Sequence, residues 1–102
     1  MKKQPTIQEL EQANLTLNQQ CFNIYNVYPR HICRGRAIPA IETALRKISK
    51  EFPTIDAYTF LLAKVKEFAL SDLGQSKMAP YCENFMIAEQ YVDDTEEWNY
   101  TE

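Results

Sequence analysis

Glycine is nearly absent: the chain holds two in 102 residues, with five prolines. That is too little turn material for a β-sandwich or β-barrel, which need many tight turns. Two isolated glycines also cannot build a glycine-rich loop around a phosphate. Histidine occurs once and cysteine three times. The only close pair of these soft ligands is His31-x-Cys33, with Cys21 and Cys82 distant in sequence, whereas zinc sites show paired short spacings such as Cys-x2-Cys. The expectation is no metal, no cofactor and largely inert thiols. An odd cysteine count at unrelated spacings suits reduced thiols better than a disulfide framework. No stretch approaches the ~18 apolar residues of a membrane span. Met1-Lys2-Lys3 is not followed by the apolar run of a secretory signal. These absences predict a cytoplasmic protein with no membrane partner, so the sequons at Asn14 and Asn99 have no glycan to receive.

What is present fits one folded domain. Hydrophobic residues make up 45% and charged residues 25%, an ordinary balance for a globular chain, and the length suits a single core. The domain is expected over residues 1–102, with 1–5 as an N-terminal extension and 93–102 as an acidic tail. Net charge is −3, unevenly placed. Residues 1–50 carry eight Lys/Arg against three acids, and residues 51–102 carry three lysines against eleven acids. Such a dipolar domain can meet an anion with one end and a basic partner with the other, or the two halves can simply neutralise each other.

The periodicity predicts an all-α fold, a small orthogonal or up-down bundle of about four helices. Thr6-Ile7-Gln8-Glu9 reads as a capping box. From there Ile7, Leu10, Leu17, Cys21, Ile24 and Tyr28 recur at 3-4 spacing up to Pro29, with a break expected at 14–18. The same stripe, with polar Asn14 in it, also matches a short self-associating seam. A second helix is expected from about Arg36–Ile38 to Phe52-Pro53, with Pro39 in its first turn and Ile41, Ala44, Leu45 and Ile48 inward. Thr54 is the expected cap of a third and most apolar helix, the centre of the core, closed by Gly74 as a left-handed cap. Asn84 is the expected cap of a short fourth helix, Phe85 to about Tyr91. Trp98, the only tryptophan, is expected to pin the tail onto the core.

The sequence YPRHICRGR, residues 28–36, concentrates the chemistry. Arg30, His31, Arg34 and Arg36 gather before a helix N-terminus, where free backbone amides and the helix dipole favour an anion. Arg46, Lys47 and Lys50 extend the charge along that helix. Nucleic acid is the commonest large polyanion, and phosphate contacts of this kind give affinity without sequence choice. Tyr25, Tyr28 and Tyr81 would either stack on single-stranded bases or pack in the core with an exposed hydroxyl. Cys33 sits among arginines that favour its thiolate, but no neighbouring base or oxyanion hole marks it as a nucleophile. Catalytic residues, and with them a small-molecule substrate, are not expected. Asp93, Asp94, Glu96 and Glu97 form either a solvated tail or, with Glu83 and Glu89, an acidic face for a basic protein.

Two motifs carry a resemblance. Ile24-Tyr25, Tyr28-Pro29-Arg30, Arg34-Gly35-Arg36-Ala37, Ala40-Ile41, Ala44-Leu45 and Lys47-Ile48-Ser49 form the first. Pro80 to Asp94 followed by Trp98 forms the second. Together they resemble a C-terminal helical segment of phage replication-initiation proteins and related small phage or prophage proteins, over about residues 22–98. Cys82, Asn84, Phe85, Ile87 and Gln90 depart from that pattern, where the family has proline, threonine, tryptophan, asparagine and arginine. The resemblance implies an all-helical, non-enzymatic replication module touching DNA, single- or double-stranded, or a replication or host protein. It implies that the Tyr-Pro-Arg and Gly-Arg positions form a basic edge. The alternative is a small phage interaction or inhibitor module that uses its acidic C-terminal face.

Overall fold

The computed structural model describes residues 15–99. Those residues form a small all-α bundle with four α-helices: α1 Leu17–Val27, α2 Arg34–Glu51, α3 Ala57–Leu70 and α4 Cys82–Ile87. Two 3-10 turns follow, Gln90–Val92 and Thr95–Trp98. No β-strand occurs among the described residues. The capping box expected at Thr6-Glu9 lies outside them.

The α1 helix starts inside the stretch where a break was expected, because Thr16 and Gln19 form a reciprocal cap. Gln19 N donates to Thr16 Oγ1 at 3.1 Å and Thr16 N donates to Gln19 Oε1 at 2.9 Å. The stripe Cys21, Ile24, Tyr28 is buried within the chain's own core, so this part of it serves folding rather than a seam between copies.

Several expected helix ends are corrected. The α2 helix begins at Arg34, because Cys33 takes a left-handed conformation, φ 59°, that turns the chain into the helix early. Pro39 therefore lies inside α2, where it has no N–H for the carbonyl of Gly35. Asp56, not Thr54, caps α3: its carboxylate accepts from Tyr58 N at 3.1 Å and from Thr59 Oγ1 at 2.9 Å. Gly74 is not a left-handed cap. Ser71 closes α3 instead, with Oγ donating to Phe68 O at 2.6 Å and accepting from Gly74 N at 3.0 Å. The fourth helix starts at Tyr81, its N-cap, rather than at Asn84. It ends where Glu89 adopts a left-handed φ of 56° and turns the chain into the first 3-10 turn.

The core runs through every element. The α2 helix packs against α1, α3 and α4, and the more apolar α3 packs against α1, α2 and both 3-10 turns, so the two helices share the centre of the core. Ala37, Ile41, Ala44, Leu45 and Ile48 are the buried stripe of α2. Tyr28, Phe68, Phe85 and Trp98 form an aromatic cluster, with Phe68 and Phe85 centroids 4.7 Å apart and Trp98 edge-on to Phe68 at 5.3 Å. Trp98 is 1% exposed, which pins the tail as its sequence position predicts. Leu73 N donates to Trp98 O at 2.9 Å and fastens the same segment to the end of α3.

Candidate nucleic-acid interface

The loop from Tyr28 to Cys33 is held from beneath. The Tyr28 hydroxyl donates to Pro80 O at 2.6 Å. Arg30 donates to Ala79 O at 2.7 Å and to Lys77 O at 3.3 Å, and its guanidinium lies over the Tyr81 ring, 4.8 Å from the centroid. Arg30 is thus a strut between the α1 exit and the 77–81 loop, not a free charge. His31 is exposed and stacks on Tyr25, centroids 4.9 Å apart and planes at 29°. Arg34 is exposed with its guanidinium over Phe22 at 5.4 Å.

The start of α2 is open. Cys33, its N-cap, makes no side-chain cap hydrogen bond, and no acid lies in the first turn. The α1 and α3 helices, by contrast, have oxygen caps in Thr16 and Asp56. A Cβ built on Gly35 would meet nothing within 4 Å, so the first turn is open on that side. Arg34 and Arg36 flank it, both exposed. Arg36 N already donates to Cys33 O at 3.0 Å, so the amides of Arg34 and Gly35 remain at the positive end of the dipole, with the Arg34 guanidinium on the α1 side and Arg36 on the side facing α4.

The remaining cations of α2 point elsewhere. Arg46 is paired with Glu42 at 2.9 Å, and Lys47 with Glu89 at 2.6 Å. The hydrogen bond to Glu89 pushes the Lys47 ammonium above its ordinary value. Lys50 borders a different hollow, with Leu45, Arg46 and Asp56. Arg36 instead borders a groove of about 610 Å³ between α2 and α4, with Ala40, Lys47, Glu83 and Ile87. The seven predicted site residues are consequently not one cluster. His31 and Arg34 lie against α1, Arg30 braces the loop, Arg36 and Lys47 border the α2–α4 groove, and Arg46 and Lys50 border the hollow near Asp56.

Two contributors escaped the sequence reading. Lys77, exposed, is brought to this edge by the Arg30 hydrogen bond to its carbonyl. Phe22 supports Arg34 from α1. Neither has a local signal, since the contacts depend on packing. Of the three tyrosines, Tyr25 and Tyr28 are buried and belong to the core, whereas Tyr81 is 39% exposed.

The cysteines divide by burial. Cys21 and Cys82 are buried, and desolvation pushes their thiols up to about 11 and about 12, so neither supplies a thiolate near neutral pH. Cys33 is exposed. Among the described residues no group of three or more His, Cys, Asp or Glu is arranged to hold a metal ion, and no helix is long and apolar enough to cross a membrane. In the tail, Asp94, Glu96 and Glu97 are exposed and Asp93 is half-buried. The segment is fixed by Trp98 and by Asn99, whose Oδ1 accepts from Asp72 N at 3.0 Å. No protein-family model, curated protein or solved structure matches this chain.

Proposed function

We propose that the chain is a non-enzymatic nucleic-acid-binding module that takes a phosphate backbone, without sequence choice, at the N-terminal edge of α2. The observation that carries this reading is the open helix start: no side-chain oxygen caps it, and the exposed His31, Arg34 and Arg36 all lie within three residues of its N-cap, Cys33. Phosphate would accept from the Arg34 and Gly35 amides and pair with a guanidinium group at the same time. The module works in a replication setting of a phage or mobile element, as the two motifs resembling replication-initiation segments suggest.

The test is fluorescence anisotropy with a labelled oligonucleotide at low salt. Arg34→Gln/Arg36→Gln should weaken binding by about tenfold or more. Lys64→Gln/Lys66→Gln, which removes the same charge from α3, should leave affinity near wild type. Equal losses in the two variants would reduce the effect to net charge and reject the site.

A second reading has its own observation. The tail is anchored by Trp98 while Asp94, Glu96 and Glu97 face outward, so a fixed acidic face is available to a basic protein. Truncation after Val92 would remove Trp98 from the core and confuse folding with binding. Asp94→Asn/Glu96→Gln/Glu97→Gln keeps the anchor. If that variant loses a protein partner that Arg34→Gln/Arg36→Gln retains, the acidic face is the working surface.

A further inference from the structure

We infer that the nucleic acid taken at this edge is single-stranded, with bases stacked against the loop as its phosphates meet the α2 start; this rests on the function proposed above. Three of the four Arg and His side chains of residues 30–36 lie over aromatic rings: Arg30 over Tyr81, His31 on Tyr25 and Arg34 over Phe22. Such planar groups, held against a ring, offer their outer faces as platforms for a base. His31 and Arg34 are both exposed. The loop and the 77–81 segment that Arg30 ties to it also expose apolar surface, Ile32 at 40%, Met78 at 79% and Tyr81 at 39%.

That mixture separates the two forms of nucleic acid. A duplex offers a ridge of phosphates and keeps its base faces stacked inside, so Ile32, Met78 and Tyr81 would gain nothing from it. A single strand offers phosphates and unstacked base faces in one ligand. Charge complementarity selects the polyanion, and the aromatic and apolar border selects the form in which bases are free.

The experiment uses three probes against the full chain in one buffer: a 20-nucleotide oligo(dT), a 20-base-pair duplex, and a 20-unit abasic deoxyribose phosphate strand. Oligo(dT) should bind at least about tenfold tighter than the abasic strand, the worth of one or two stacked bases, and tighter than the duplex. Tyr81→Leu, which keeps an apolar side chain, should weaken oligo(dT) several-fold and leave the abasic strand unchanged. Equal affinity for oligo(dT) and the abasic strand would overturn the inference while leaving the phosphate site intact. Tighter binding of the duplex would do the same. Failure of all three probes to bind would overturn the proposed function as well. The abasic comparison needs no mutation, so it stands even if Tyr81→Leu impairs folding.

Discussion

At the scale of single residues, the two glycines have opposite roles. A Cβ at Gly74 would sit 1.8 Å from the carbonyl oxygen of Phe68. Gly74→Ala should therefore cost roughly 1–3 kcal/mol, the usual penalty of overpacking, read from urea denaturation. Gly35→Ala meets no atom and should raise stability by about 0.5 kcal/mol, since alanine is the better helix former. The same substitution places a methyl where a phosphate would approach the first-turn backbone, so affinity should fall as stability rises. The buried thiols set a pH dependence. In the unfolded chain they ionise near 9.0, whereas in the fold Cys21 holds its proton to about 11 and Cys82 to about 12. Between those values the unfolded state binds fewer protons, so stability must fall as pH rises. The melting temperature should be flat through this linkage below pH 9 and decline above it. Cys82→Ala would remove its share of that decline but leave a cavity, so the slope, not the absolute stability, is the readout.

At the scale of elements, helix ends decide both the fold and the site. Asp56→Ala should cost about 1 kcal/mol through loss of the α3 cap, and Thr54→Ala should cost almost nothing, both measured by chemical denaturation. Thr54 and Asp56 are equally good capping residues in sequence. The choice falls to Asp56 because the turn after α2 closes first, with Ile55 N donating to Phe52 O. The apolar stripes of α1, α2 and α3 were legible because burial follows the helical period directly. The early start of α2 was not, since it depends on a left-handed Cys33 that residue preference disfavours. Charges were legible as a list but not as partners. Glu42 and Arg46 stand at i,i+4 and could have been paired from spacing alone. The Lys47–Glu89 pair spans 42 positions and exists only because α4 packs on α2.

At the scale of the molecule, Trp98 joins the acidic end to the aromatic core. Trp98→Ala should cost roughly 3–5 kcal/mol, as large aromatic deletions do, and should lower the thermal midpoint accordingly. As the only tryptophan, it reports folding directly: its emission should shift to longer wavelength on unfolding, together with loss of helical circular dichroism. The fold also redistributes the charge of the chain. The Arg46 and Lys47 charges are answered by the protein's own carboxylates, while the edge at the start of α2 retains exposed His31, Arg34 and Arg36. A net negative molecule can thus still present one locally positive end to a polyanion.

The salt dependence of oligonucleotide binding tests that local charge most directly. Plotted as the logarithm of affinity against the logarithm of salt concentration, the wild-type line should have a steep negative slope from counterion release. In Arg34→Gln/Arg36→Gln the slope should be shallower by about 1.4 to 2 units, the share of two phosphate contacts. Parallel lines for the two proteins would contradict the account, because the guanidinium groups at the open end of α2 would then touch no phosphate.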